Sequence, residues 1–82
     1  MYSVEFSETA EKQFNKLETN IKERVVSVME RIKIKPHHFI KRKEGTEYFI
    51  ARIGEHRAIL RIDDVRKIIF VVEVGHRKNI YN

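Results

Sequence analysis

The chain has 82 residues and no cysteine, with seventeen Lys and Arg against twelve Asp and Glu for a net charge of +5. That length predicts a single domain over residues 1–82, whose one core buries about 60–70% of the unfolded chain's surface. The absence of cysteine excludes disulfide scaffolds and thiolate chemistry. The longest wholly apolar run, Ile68 to Val72, is far short of a membrane span. The acidic opening residues hold no secretory apolar segment, so a cytoplasmic protein is expected. Residues 1–40 carry seven basic and six acidic groups and residues 41–82 carry ten and six. This basic excess in the second half points either to a polyanionic partner or to solubility alone.

Tyr2, Val4 and Phe6 alternate with Ser3 and Glu5, which predicts a half-buried strand. Ser7 offers an N-cap oxygen, and Glu8 and Glu11 fall in the first turn of a helix over residues 8–17, with Ala10, Phe14 and Leu17 on one face. Thr19 and Asn20 break it. Asn20 and Glu23 have the spacing of a capping box, ahead of a longer helix with Ile21, Val25, Val28 and Ile32 as its apolar stripe. That helix should stop before Pro36, and the two form an antiparallel helical hairpin. Residues 36–47, "PHHFIKRKEGTE", lack a clean period and read as a loop. After them "YFIARI" and "HRAILRI" flank Gly54-Glu55, which suits a type II′ turn. Asp63-Asp64 marks the next turn, and "KIIFVVEV" follows as a buried strand. The predicted order is β-α-α-β-β-β. This is an α+β fold, a mainly antiparallel sheet with the helical hairpin packed on one face.

A two-residue turn at Gly54-Glu55 fixes the hairpin register by counting. Ile53 then pairs with His56, Arg52 with Arg57, Ala51 with Ala58, Ile50 with Ile59 and Phe49 with Leu60. Opposed residues share a face and successive pairs alternate. Phe49, Ala51, Ile53, Ala58, Leu60 and Ile62 fall on the core side, and Tyr48, Ile50, Arg52, Arg57, Ile59 and Arg61 on the other. Arg52 and Arg57 are therefore opposed like charges, which repel. They are either two solvated arginines or a pair suited to bidentate phosphate recognition. Beyond the last strand, "GHRKNIYN" turns on Gly75 and sets out His76, Arg77, Lys78 and Tyr81. If that strand pairs beside the hairpin, Arg77 and then Tyr81 come toward the same open face, with Lys78 an expected RNA contact. Lys41-Arg42-Lys43 immediately precedes the hairpin and either tracks a nucleic-acid backbone, the favoured reading, or is an ordinary solvated loop.

"YFIARIGEHRAILRI" followed by "VVEVGHRKNIYN", with the leading "YSVEFSETAEKQFNKL", resembles the RelE/ParE toxin superfamily, and within it the RelE-type messenger-RNA interferases. The resemblance covers essentially the whole chain. It implies a toxin of a type II toxin–antitoxin system that enters the ribosomal A site and cuts the messenger there. It also implies a small acidic RelB-like antitoxin that masks the basic face, with operator DNA reached only through that complex. By position, the family's active-site residues fall at Arg52, Arg57, Arg77 and Tyr81. A second family lysine falls at Ile50, and another is replaced by Arg52, so the resemblance leaves the general base unassigned.

Cutting RNA without a metal requires removal of the 2′-OH proton, stabilisation of the phosphorane and protonation of the leaving 5′-oxygen. Arg52, Arg57 and Arg77 suit the second task but are poor bases. Histidine is the residue type suited to proton transfer near neutral pH, and His76 is either the acid/base or a surface residue beside Gly75. Tyr81 either stacks on a base, transfers a proton, or packs as a C-terminal anchor. His37-His38 lacks a third ligand at recognisable spacing, so no metal and no cofactor are expected. Exposed Ile50 and Ile59 beside arginines would offer an acidic amphipathic partner an apolar groove. A gyrase-binding inhibitor of the ParE kind, and a degenerate toxin acting only as antitoxin partner, are the alternative readings.

Overall fold

The computed structural model describes residues 1–80. Its elements are β1 (Ser3–Phe6), α1 (Glu8–Asn15), α2 (Thr19–Ile34), a 3-10 turn (Pro36–His38), β2 (Lys41–Arg42), β3 (Phe49–Ile53), β4 (His56–Asp63) and β5 (Ile68–His76). The strands form one sheet in the order β1-β5-β4-β3-β2. Only β1 and β5 run parallel; the other neighbours are antiparallel. The expected α+β architecture is present with one strand more. Lys41 and Arg42, read as loop, pair with Ile50 and Phe49. Two residues are too few for an alternating pattern to register. No helix among the described residues is long and apolar enough to cross a membrane.

Ser7 caps α1 as its sequence predicts, its Oγ accepting the Ala10 N–H at 3.0 Å. The second cap differs. Glu18, not Asn20, holds the N-cap position, without a side-chain hydrogen bond. Its carbonyl accepts the N–H groups of Ile21 and Lys22, which places Asn20 inside the first turn and leaves no Asn20–Glu23 box. The connection after α1 is short and half-buried Leu17 packs on the core, so the second helix starts before Asn20 can cap it. Val25, Met29 and Ile32 are the residues of α2 that the core buries. They meet Ala51, Ala58, Leu60 and Ile69, each 0% exposed, on one face of the sheet.

The β3–β4 register matches the counted one at all five pairs, Arg52 opposite Arg57 included. Gly54 makes the turn possible, with φ +61°. No positive φ occurs at Glu55, as a type II′ turn requires.

The last strand departs from simple alternation. Leu60 pairs with Val71 and Ile59 with Glu73, so Val72 is the extra residue of a β-bulge. Before the bulge Ile69 and Val71 are buried; after it Val74 is, at 1% exposure. Helix α1 holds this irregularity in place. Ser7 Oγ donates to the Val72 carbonyl and Gln13 Oε1 accepts the Val74 N–H, both at 2.8 Å. Strand β1 has ended at Phe6, so Gln13 supplies the acceptor a neighbouring strand no longer offers. Gly75 also differs from expectation. It lies within β5, and the chain turns after it; the Ile80 side chain folds back to 3.4 Å from where a Gly75 Cβ would sit.

Gln13→Ala leaves the Val74 N–H unpaired and is expected to lower the unfolding free energy by about 1–3 kcal/mol. Ser7→Ala loses a cap and a bulge contact together and should cost about 1–2 kcal/mol. Urea denaturation of both variants checks this, and unchanged midpoints would contradict the assigned contacts.

Candidate phosphate-binding site

The Ile53–His56 pair closes the two-residue turn and takes the hydrogen-bonded position, so Arg52 and Arg57 occupy the adjoining non-hydrogen-bonded one. Opposed Cα atoms there come within about 4.5 Å and side chains lie closest. The arginines project on the sheet face away from the helices. There, with Lys41, Arg42 and Ile50, they line a cleft of about 240 Å³. Lys41 reaches it because β2 pairs Lys41 directly with Ile50. The short strand therefore carries an amine to the face where β3 has an isoleucine.

The partners of the arginines divide them into two sets. Arg42 Nε donates to the Thr46 carbonyl, and Arg61, Arg66 and Arg77 pair with Glu47, Asp63 and Glu55. Among the described residues, the guanidiniums of Arg24, Arg31, Arg52 and Arg57 make no ion pair or hydrogen bond. Guanidiniums placed together without acids repel one another and suit an incoming anion.

The remaining sequence-predicted residues are not all brought to this cleft. Arg77 is held at the hairpin tip, its N–H donating to the Glu55 carbonyl and its Nε pairing with the Glu55 carboxylate, each at 2.8 Å. It does not line the cleft. His76 pairs with His56 across β4 and β5, and their rings meet edge to face at 5.4 Å. This pair follows buried Ile53 and Val74 in phase, which puts His76 on the helix side of the sheet, away from Arg52 and Arg57. Its Nδ1 accepts the Lys78 N–H at 3.1 Å. Lys78 is exposed in that turn. Lys43 closes the loop before β3, its N–H donating to the Tyr48 carbonyl, and does not line the cleft. Tyr81 lies outside the described residues.

Ile59 was expected to be exposed beside the arginines, but it is 7% exposed. It stands on the face that the C-terminal turn covers, where Ile80 is 5% exposed against Gly75. The open apolar surface lies elsewhere, in a depression of about 510 Å³ lined by Phe6, Glu11, Phe14, Asn15 and Val26. Sequence reasoning also passed over Arg24 and Arg31. Their spacing of seven places both on one helix face, a signal that the apolar stripe of the same helix outweighs.

His56 has its pKa lowered, first by burial, then by the neighbouring His76 and by Arg24. His37 instead faces Asp64, at 3.1 Å, and Asp64 also accepts the Tyr2 hydroxyl at 2.6 Å. These hydrogen bonds, Tyr2 foremost, lower the Asp64 pKa.

The family whose sequence model matches residues 4–81 is described as the ParE toxin of type II toxin–antitoxin systems, parDE. No curated protein matches. Among solved structures, a chain of the RelBE2 toxin–antitoxin complex from Mycobacterium tuberculosis is 33% identical, with 93% of this chain and 98% of that one covered and a TM-score of 0.83. A chain of the intact Escherichia coli RelBE complex is 20% identical over 93% of this chain and 96% of that one, with a TM-score of 0.84. The archaeal RelE–RelB complex from Pyrococcus horikoshii gives 20% identity, coverage of 96% and 98%, and a TM-score of 0.82. The last two likenesses establish the fold alone.

Two measurements check the electrostatics. Arg57→Gln relieves the opposed charges and is expected to stabilise the protein by about 0.2–1 kcal/mol at low ionic strength. The gain should fade near 1 M salt, where the Debye length is about 3 Å. A destabilised variant would contradict the unpaired assignment. His56 titrates below the ordinary histidine value, so the unfolded state binds the extra proton first. Stability should therefore fall as pH drops below that value. His56→Gln should flatten this slope in urea titrations.

Proposed function

Because the chain belongs to the ParE toxin family of type II toxin–antitoxin systems, within the RelE/ParE superfamily, we propose that it is a ribosome-dependent messenger-RNA endonuclease. The observation that carries this reading is the cleft that joins two unpartnered, directly opposed arginines to Lys41. Nothing in folding favours such an arrangement, and a phosphodiester satisfies it.

In the proposed reaction the 2′-oxygen of the messenger attacks the adjacent phosphorus. A 2′-O–P bond forms and the P–O5′ bond breaks, leaving a 2′,3′-cyclic phosphate and a 5′-hydroxyl. Arg52 and Arg57 hold the non-bridging oxygens and stabilise the extra charge of the phosphorane. Arg77 joins them from the hairpin tip. Its exposed pair with Glu55 is worth only about 0–1 kcal/mol, weak enough for a phosphate to compete. Removal of the 2′-OH proton falls to Lys41. In its neutral form its amine is the one group in the cleft lining that can accept a proton, since guanidiniums remain charged. Tyr81 stacks on a base or donates its own hydroxyl proton to the leaving 5′-oxygen, a proton that the one held by Lys41 later replaces. His76, turned to His56 and bonded through Nδ1, is assigned to fixing the C-terminal turn rather than to proton transfer.

The partner is proposed to be a small acidic antitoxin, a reading supported by relatives solved as toxin–antitoxin and RelE–RelB complexes. Its acidic groups would neutralise the arginines. The Phe6–Phe14–Val26 depression leaves apolar surface for a bound segment to bury. The family description itself favours, as a second reading, a ParE-type inhibitor that binds DNA gyrase and needs no cleavage chemistry.

Purified protein added to a translating extract with a defined message tests the proposal. New 5′ ends within codons are expected only when ribosomes are present. Lys41→Arg keeps the charge but removes the amine, and should slow cleavage on the order of 100-fold. Full activity in that variant would remove Lys41 from proton transfer. An intact message, with DNA damage in cells expressing the protein, would move the assignment to gyrase inhibition.

A further inference from the structure

The two remaining unpartnered arginines stand on α2. Arg24 and Arg31 are seven residues apart, which puts them on one face and about 10.5 Å apart along the helix axis. With Ser27, Val28, Arg52, Ile53 and Gly54 they line a groove of about 220 Å³. Its other wall is the edge of β3. Strand β2 covers that edge only at Phe49 and Ile50, so the stretch from Arg52 to Gly54 has no strand beside it on the side away from β4. Gly54 has a second role here. A Cβ at that position would sit 2.9 Å from the Arg24 Nη1, so the missing side chain leaves room for this guanidinium.

Arg52 lines both this groove and the cleft on the opposite face of the sheet. The four guanidiniums without partners thus form one continuous band that passes around the open edge of β3. Its apolar members are few and shielded: Ile53 is buried and Val28 partly so. A docked peptide helix needs a row of apolar anchors, which this groove lacks. A sugar–phosphate backbone needs spaced cations and hydroxyl or amide donors, which it has.

We propose that Arg24 and Arg31, with Arg52, form a second phosphate subsite that carries the messenger strand away from the cleft, around the β3 edge and along α2. The subsite rests on the nuclease reading, because Arg52 is the residue shared between them. It positions the strand rather than acting on the reacting atoms. An RNA backbone covers the separation of the two helix arginines in a few nucleotides, so short substrates leave the subsite empty.

The test uses full-length protein and 2′-O-methyl oligonucleotides, which cannot be cut, of three and ten nucleotides, with affinity measured across a salt series. Each single-strand phosphate contact contributes about 0.7 to the log–log salt slope, so Arg24→Ala/Arg31→Ala should lower the ten-nucleotide slope by about 1.4. It should leave the three-nucleotide slope unchanged, and Arg24→Lys/Arg31→Lys should restore the longer one. A thermal melt confirms that each variant is folded. An unchanged ten-nucleotide slope, or equal losses on both lengths, overturns the subsite. Arg52→Ala/Arg57→Ala serves as the second arm. If it lowers both slopes while the helix variant lowers neither, only the subsite fails. If it too changes nothing, the cleft does not hold phosphate and the nuclease reading fails with it.

Discussion

The bulge at Val72 decides which residues of the last strand meet which partners. Up to Val71 the odd-numbered residues of β5 face the helices; from Val74 the even-numbered ones do. Without the extra residue His76 would lie among the arginines and Gly75 would face the core. With it Gly75 stands opposite Arg57 and accepts the Ile80 side chain, while His76 is sent to His56. Three contacts from the start and middle of α1 fix the bulge, through Ser7 and Gln13. The first helix therefore sets the phase of β5, the strand that lies between β1 and β4. A bulge is a usual means of re-aiming side chains at a functional edge.

Charge is arranged on this frame with two different economies. Arginines at the periphery have acids or carbonyls beside them, as with Arg61 and Glu47 or Arg66 and Asp63. The four around the β3 edge have none among the described residues. Folding alone would favour dispersing them, since opposed like charges weaken a strand pair. Their concentration costs stability and leaves a surface preset for polyanions, the usual trade between a stable fold and a working site. The same surface gives an acidic partner its purchase, so activity and its suppression draw on one electrostatic feature.

Some of this was legible in the sequence and some was not. The hairpin register was, because a two-residue turn fixes pairing by counting, and Arg52 opposite Arg57 followed at once. The Ser7 cap and the stop before Pro36 rest on local chemistry and were equally readable. The bulge was hidden because "KIIFVVEV" is apolar at nearly every position and offers no alternation to interrupt. Its consequence, the side on which His76 lies, was hidden with it. Strand β2 was too short to show a period, so the meeting of Lys41 with Ile50 could not be anticipated. Ile59 is buried although the hairpin register puts it on the face of Arg52 and Arg57, and the alternation of a single hairpin does not encode what covers that face.

The central claim is that the arginine-lined face holds a phosphodiester while the messenger's own 2′-oxygen displaces the 5′-oxygen. The chemical identity of the ends tests it most directly. Mass spectrometry of fragments from a message cut in a translating extract should find a 2′,3′-cyclic phosphate on the upstream piece and a 5′-hydroxyl on the downstream one. A 3′-hydroxyl with a 5′-phosphate would mean that water was the nucleophile, and would contradict the account.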